Sequence, residues 1–583
     1  MKFAKHFKFV CILVLGVISL TGCQKNNQNI LLINHGQLTM PQDGGNETIT
    51  LQTDAGSWNI VNPGSSWLTL SSSSGTDKNA TITITVSTRT TTLRADTLVI
   101  SAGSANPVKV IVTQLASAYL YNLTAGKASL TFTQAGNTDT LSITSEASQW
   151  DINSKATWLQ FSQSTGGKGN TVIKVTASQN TETSTRTDTI TLSAQDAPTI
   201  KIPVTQNGPL YPDYNTSPLS PDATGMGYTA QQIAANMTLG WNIGNTLEAI
   251  GGETAWGNPQ VTQALIDLVK KNGFNAIRIP CSWDQYANQT TAKIQDAWLQ
   301  RVKQVVQYCI NDNMYVILNI HWDGGWLESH CDAADQVAVN AKQKAYWQQI
   351  ATTMRDFDEH LIFASANEPS ASTAAQMKVL LSYHQTFINA VRSTGGKNSY
   401  RVLLIQGPST DIATTNQLMT NLPTDPTLNR LMVEIHYYTP YQFCLMTSDA
   451  SWGNMFYYWG KGYHSTTDTA HNATWGEEAY ADSLLNLMKE QFVNKGIPVA
   501  MGEFGVIRRS DLTGSALTLH LASRSHYLKY ITHQAKADGI IPFYWDAGGM
   551  GNNGSALFNR NNNTVFDQQA LDSLCVGAGE SIP

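Results

Sequence analysis

The 583-residue sequence predicts a multidomain chain: two N-terminal immunoglobulin-like β-sandwiches followed by a (β/α)8 barrel of the TIM type. Three observations carry this expectation. A stretch of period-two alternation occurs twice, 92 residues apart. Short apolar segments then alternate with amphipathic ones through the C-terminal half, and two of the apolar segments end on a glutamate. The length also exceeds what one hydrophobic core organises.

The chain opens with Lys2, Lys5 and Lys8, an apolar run over 9–20, and Leu20-Thr21-Gly22-Cys23. The run is too short to span a bilayer comfortably. Small residues before a cysteine resemble the lipobox of bacterial lipoproteins. The resemblance implies a signal peptide over 1–22, lipidation of Cys23 after cleavage, and a tether over 23–29. It places the protein in a bacterial outer membrane, held by its lipid and facing the cell surface. Gln24-Lys25-Asn26-Asn27 lacks an acidic export run, so a periplasm-facing protein stays open.

Charged residues make up 14% of the chain, against roughly 25% in average soluble domains. A net charge of −6 and no basic stripe argue against a nucleic-acid partner. Beyond Cys11 and Cys23 the cysteines are Cys281, Cys309, Cys331, Cys444 and Cys575, an odd number with no CxxC spacing. Neither a disulfide framework nor a zinc site is indicated. His330-Cys331-Asp332 reads as a loop, since adjacent residues rarely converge on one ion. Nothing points away from a monomer.

Residues 30–115 and 116–207 form the repeat. Trp58, Arg94-Ala95-Asp96 and Val112-Thr113-Gln114 recur as Trp150, Arg186-Thr187-Asp188 and Val204-Thr205-Gln206. Trp67-Leu68 recurs as Trp158-Leu159. Alternation such as Thr81-Ile82-Thr83-Ile84 predicts half-buried strands, and many short strands predict sandwiches. The Trp-Leu pair, the Arg-x-Asp step and the closing Val-Thr-Gln resemble the BACON domain. That resemblance allows either glycan binding or a spacer role. Trp67 and Trp158 are expected in the core rather than as sugar platforms. Residues 208–222 carry four prolines and read as a semi-rigid linker.

The barrel is expected over 223–577. Strands are predicted at 239–243, 274–279, 315–320, 361–366, 402–405, 431–435, 497–501 and 540–545. Helices are predicted between most of them, for example over 261–271, 296–311 and 480–493. An open doubly wound sheet should show a Gly-rich phosphate turn after an early strand, and none occurs. In a barrel, function sits at the C-terminal strand ends. Those ends carry Asn242 and Asn245, Arg278, His321, Asn367 and Glu368, His436 and Tyr438, Glu503, and Trp545.

A carboxylate ending a buried strand costs solvation energy unless paired or used. Two of them in a Trp-rich chain suggest a carboxylate pair working on a sugar. The strings Asn367-Glu368-Pro369 and Gly502-Glu503-Phe504-Gly505, with Arg278-Ile279-Pro280, His321, His436-Tyr437-Tyr438 and Trp545, resemble glycoside hydrolase family 5. The opening Gly240-Trp241-Asn242-Ile243-Gly244-Asn245 and Trp256-Gly257-Asn258-Pro259 resemble its subfamily 4. The resemblance spans about 240–570. It implies a retaining endo-β-1,4-glucanase acting on cellulose-type, mixed-linkage or xyloglucan backbones, with no metal and no organic cofactor. It implies Glu503 as nucleophile and Glu368 as acid/base, the latter in surroundings that favour its neutral form. Asn245, Trp256, Arg278, His321, Trp322, Asn367, His436, Tyr438 and Trp545 are then expected at the substrate. Ser370 and Trp322 depart from the family pattern, which more often has Arg and His there.

Trp283 and Trp326 also fall on rim loops or strand ends, whereas Trp298 and Trp347 fall on helices and read as packing. Glu248, Glu253, Glu328 and Glu434 compete as carboxylates, and Glu434 is expected to point into the barrel. His360 lies at the wrong end of its strand for catalysis. A β-mannanase or transglycosylase of the same fold, and a non-catalytic surface glycan-binding protein, remain alternatives.

Overall fold

The computed structural model describes residues 28–581 apart from 64, 88 and 89. The predicted signal peptide and Cys23 lie outside the described residues. The chain divides into two compact units. One holds residues up to 180 and 185–207, and the other holds 181–184 and the residues from 208 onward.

In the first unit, strands Leu31–Ile33, Gly45–Thr53, Leu68–Leu70 and Asn79–Val86 form a four-stranded sheet. Gln37–Met40, Trp58–Val61, Ser74–Gly75, Arg94–Ala102 and Val108–Gln114 form a five-stranded one. The second copy repeats this strand order, with Leu123–Ala125 to Ile200–Gln206 in the matching places. Each copy closes its own core, one around Ile49, Leu98 and Val110, the other around Leu141, Ile190 and Ile202.

The repeated motifs have a common physical role. Arg94 lies over the Trp67 ring, 4.7 Å from its centroid, and its Nε donates to Gln114 Oε1 at 2.8 Å. Arg186 lies 4.5 Å from the Trp158 centroid, and its Nε donates to Gln206 Oε1 at 2.9 Å. The two tryptophans are thus half-buried: each packs against the core of its own copy, as expected, and lies under a guanidinium group. A covered face is not a free sugar platform. Gly75 and Gly166 are dictated by Trp58 and Trp150: a Cβ would sit 2.4 and 2.1 Å from those rings.

In the second unit, eight parallel strands close a barrel: β1 Gly240–Ile243, β2 Ala276–Ile279, β3 Tyr315–Asn319, β4 Leu361–Ala364, β5 Leu403–Gln406, β6 Leu431–Tyr437, β7 Val499–Phe504 and β8 Ile540–Asp546. Each is followed by a helix: α1 Gln263–Lys271, α2 Asp296–Asn311, α3 Gln336–Thr353, α4 Ala374–Ser393, α5 Ile412–Leu418, α6 Glu478–Gln491, α7 Gly514–Ala537 and α8 Gln568–Ala578. Successive strand residues face opposite ways. Ala276, Ile317, Ile362, Leu404, Met432, Ala500, Ile541 and Phe543 accordingly fill the barrel interior. Ile233 and Met237, from and just after the short helix Ala230–Asn236, pack onto that interior cluster. The neighbouring strand positions pack outward against the helices.

Strand β7 runs beyond its expected end at 501. Its register against β6 shifts between Ile435 and His436, and pairing resumes with His436 opposite Glu503. The Pro-rich stretch read as a linker is laid on the barrel. Tyr214 Oη donates to Thr291 O at 2.8 Å, Arg355 Nη1 donates to Ser217 O at 2.9 Å, and Leu219–Pro221 pairs with Gly395–Gly396.

Candidate active site

The C-terminal strand ends of the barrel converge on one buried arginine. Arg278, at the end of β2, is fully buried. Its Nη1 donates to Glu503 Oε1 at 2.8 Å and to Asn242 Oδ1 at 3.1 Å, and its Nη2 donates to Asn367 Oδ1 at 2.8 Å. Its Nε lies 2.8 Å from Glu434 Oε1, an ion-pair contact outside hydrogen-bond alignment. A buried cation is tolerated only when paired. Glu434 and Glu503 pair it here, and they keep its pKa raised against the opposing pull of burial.

Glu434 points into the barrel, as its alternation with Val433 and Ile435 implies. Its Oε2 accepts from Gln406 Nε2 at 2.5 Å. Only glycine fits at 502, because a Cβ there would meet Glu434 Oε1 at 2.0 Å. The glycine before Glu503 thus makes room for the carboxylate that anchors Arg278.

Glu503 is held from two sides: Tyr438 Oη donates to its Oε2 at 3.0 Å while Arg278 donates to Oε1. Glu368, just past β4, reaches His436 Nδ1 at 2.7 Å through Oε1, and His436 Nε2 lies 3.2 Å from Glu434 Oε1. One oxygen of Glu368, one of Glu503 and a ring nitrogen of His436 all lie within 4.8 Å of one another. The Glu368 side chain is 41% exposed and that of Glu503 only 7%. One carboxylate therefore faces the open cleft and the other its floor.

The charges do not follow the expected order. Burial works against a charged His436, but Glu503, Glu368 and Glu434 outweigh it and raise its pKa to about 10. Burial would also raise Glu368, but the hydrogen bond and charge of His436 hold it below its usual range. The expectation that Glu368 sits where the neutral form is favoured is therefore corrected: the adjacent imidazolium favours its anion. Burial pushes Glu503 up, and this outweighs the opposing pull of His436 and Arg278. Burial and the negative charge of Glu503 raise Tyr438 well above its ordinary value, so it stays a donor. Glu368, His436 and Glu503 have the separation of metal ligands. Both ring nitrogens of His436, however, already face carboxylates, Nδ1 toward Glu368 and Nε2 toward Glu434.

The aromatic rim divides. Trp545 at the end of β8 is half-buried and stacks on His321, with centroids 5.8 Å apart and planes within 7°. Burial, Arg278 and His436 hold His321 neutral, with its pKa well below the usual value. His321 Nδ1 lies 3.2 Å from Asn319 Nδ2. Trp256 and Trp322 are each 47% exposed. Trp283, placed at the rim by its sequence position, is fully buried, and its Nε1 donates to Asn319 O at 3.0 Å. Trp326 donates to Asp323 Oδ2 at 3.0 Å.

Asn245 takes a left-handed backbone, φ 58°, and its N–H donates to Glu248. Its carbonyl accepts from Asn258 Nδ2 at 2.9 Å, and the same amide donates to Ala547 O at 3.0 Å. Asn245 therefore stands where the loops after β1 and β8 are tied together. Glu248 and Glu253 are structural: Glu248 also accepts from Thr246 N, and Glu253 accepts from Nε and Nη2 of Arg301. The fifth strand had no candidate, yet Gln406 ends it and bridges Glu434 to the Ala366 N–H. The signal was present as a lone polar residue closing an apolar run.

A family model described as cellulase (glycosyl hydrolase family 5) matches residues 242–551. A model of a putative N-terminal binding domain, BACON, matches 57–115, and a viral BACON domain model matches 122–209. The xyloglucan-specific endo-beta-1,4-glucanase of Bacteroides ovatus is 36% identical over 440 residues, covering 72% of this chain and 84% of that one. The structure of a Bacteroides ovatus GH5 xyloglucanase in complex with a XXXG heptasaccharide superposes with a TM-score of 0.59 at 33% identity, covering 78% of this chain and 100% of that one. A GH5 xyloglucan-specific β-1,4-glucanase from a ruminal metagenomic library is 41% identical, with a TM-score of 0.57, covering 61% of this chain and 98% of that one. With two BACON domains ahead of a barrel whose strand ends carry this carboxylate cluster, the chain belongs to glycosyl hydrolase family 5 and is a glycoside hydrolase of the endo-glucanase kind.

Proposed function

We propose that the protein is a retaining endo-β-1,4-glucanase whose cleft admits branched glucan, with xyloglucan as its preferred backbone. One observation carries the retaining reading: oxygens of Glu368 and Glu503 lie within 4.8 Å of each other. Inverting pairs stand about 6.5–9.5 Å apart to admit a water, whereas retaining pairs stand at about 5–5.5 Å. The names of the relatives support the xyloglucan reading, as does a rim with exposed Trp256 and Trp322.

In this reading Glu503, oriented by Arg278 and Tyr438, attacks the anomeric carbon as the glycosidic C–O bond breaks. Glu368 protonates the departing oxygen. Water then attacks the glycosyl ester, Glu368 takes its proton, and Glu503 leaves as a carboxylate. The proton reaches Glu368 across its 2.7 Å contact with His436. The two groups titrate as a unit rather than separately. Asn367, its amide oxygen committed to Arg278, turns its Nδ2 toward the sugar 2-hydroxyl. Trp545 is a platform for a pyranose ring beside the scission point, and His321 fixes its plane. Asn245, Trp256 and Trp322 line more distant subsites. The chain is held in the outer membrane through lipidated Cys23, and the BACON domains space the barrel from it.

The test is reducing-end release from tamarind xyloglucan, barley β-glucan, carboxymethyl cellulose and mannan, with NMR of the first-formed anomer. Fastest release from xyloglucan with the β-anomer first is expected. An α-anomer first overturns retention, and release from mannan alone overturns the glucan reading.

A further inference from the structure

Glu328, on the loop between β3 and α3, is a fourth carboxyl group at this site and has no assigned task. It is 92% buried, and its Oε2 has no hydrogen-bond partner. Its Oε1 lies 3.5 Å from Asn367 Nδ2, at the outer edge of hydrogen-bonding distance. Its backbone carbonyl accepts from Ser370 N at 2.7 Å, tying its loop to the segment that carries Glu368. An ionised carboxylate with an orphaned buried oxygen is costly, and the same group protonated is far less so.

We propose that Glu328 is a positioning residue of the hydrolase, a neutral carboxylic acid that orients the Asn367 amide toward the substrate and keeps a further negative charge out of the cleft. The proposal rests on the catalytic roles given above for Glu368 and Glu503. The groups facing Glu328 are Asn367 and Glu368 past β4, Glu503 on β7, His436 on β6, and Cys331 on its own loop. Arg278 and His436 supply two positive charges, against which Glu368, Glu434 and Glu503 already supply three negative ones. A fourth carboxylate would have no cation of its own. Burial, with Glu368 and Glu503 adding to it, raises Glu328 to about 8, overriding the pull of His436. Below that pH Glu328 holds a proton. Above it the group ionises, repels Glu368 and Glu503, and draws the Asn367 amide toward itself and away from the substrate.

The experiment compares kcat/KM against pH for the full mature chain and for Glu328→Gln and Glu328→Ala, on barley β-glucan. Glutamine reproduces the neutral acid but cannot ionise. Glu328→Gln should retain activity within about threefold at pH 6, with its alkaline limb moved upward by a unit or more. Glu328→Ala should lose tenfold or more, mainly in kcat. An infrared difference spectrum between wild type and Glu328→Gln at pH 6, which needs no activity, should show the carbonyl stretch of a protonated acid. An unmoved alkaline limb, a glutamine variant as impaired as alanine, or a carboxylate band in that spectrum overturns the proposal. Glu503→Ala, run alongside, separates this from failure of the catalytic reading: if it stays active, the roles of the glutamates are wrong, whatever Glu328 does.

Discussion

His436 Nδ1 lies 2.7 Å from Glu368 Oε1, and this contact sets the charge of the acid/base candidate. Burial alone would make Glu368 a neutral acid, but the imidazolium beside it favours the anion. In the proposed mechanism the acidic proton therefore sits on the histidine, one hydrogen bond from Glu368.

Replacing His436 with Asn should both slow the enzyme and flatten its pH-stability curve. His436 has a folded-state pKa of about 10, above its usual 6.5. Its stabilisation is fully present below pH 6.5 and lost as pH rises through 10. Removing one partner of a buried charge cluster costs about 3–5 kcal/mol. Urea denaturation at pH 6, 8 and 10 should show wild type losing stability across that range, with His436→Asn weaker at pH 6 and less dependent on pH.

The two glutamates should fail differently. Glu503→Ala should lose at least about 10⁴-fold in kcat on every substrate, as removal of a nucleophile does. Glu368→Ala should lose about 10²–10⁴-fold on glucan, the usual contribution of acid–base assistance. On an aryl cellobioside whose leaving group needs no protonation, the first step of Glu368→Ala should be nearly normal. A burst of released phenol followed by slow turnover would display this, and equal losses on both substrates would reassign the residue.

Gly502→Ala should disturb the site without touching a catalytic group. The new Cβ would meet Glu434 Oε1 at 2.0 Å, and that carboxylate is pinned by Arg278 and Gln406. Overpacking of this kind costs about 1–3 kcal/mol. A lower denaturation midpoint together with lower kcat is expected, because Glu503 is the next residue along the bulged strand.

Trp545→Ala should raise KM more than it lowers kcat. An aromatic contact contributes about 0.5–1.5 kcal/mol beyond its buried area. A KM increase of about three- to tenfold on soluble glucan is the expected reading. His321→Ala should reproduce part of it, because the two rings stack.

Much of the barrel was readable because a buried parallel strand leaves a continuous apolar run, and its last residues must be polar to line a site. Arg278, Asn367, Glu368, His436, Tyr438 and Glu503 stood out in this way, and the structure joins the other five to Arg278 in one network of contacts. Gln406 was missed because a single glutamine closing a strand looks like any surface residue. Trp283 was misplaced because position in a loop does not say which way a ring turns, and this one turns inward to bond Asn319. The prolines of 208–222 promised stiffness and said nothing of what the stretch would rest on.

The order of elements, the duplicated sandwiches and the two glutamates that end buried apolar runs are legible in the sequence by itself, because hydrophobic periodicity and motif spacing are local properties of the chain. The protonation of the site was decided only by the tertiary structure. Glu328 and Glu368 follow β3 and β4, Glu434 and His436 lie on β6 and Glu503 on β7, and their pKa values depend on separations of a few ångströms that closure of the barrel sets. In a buried, low-dielectric site those separations outweigh the intrinsic acidity of each side chain.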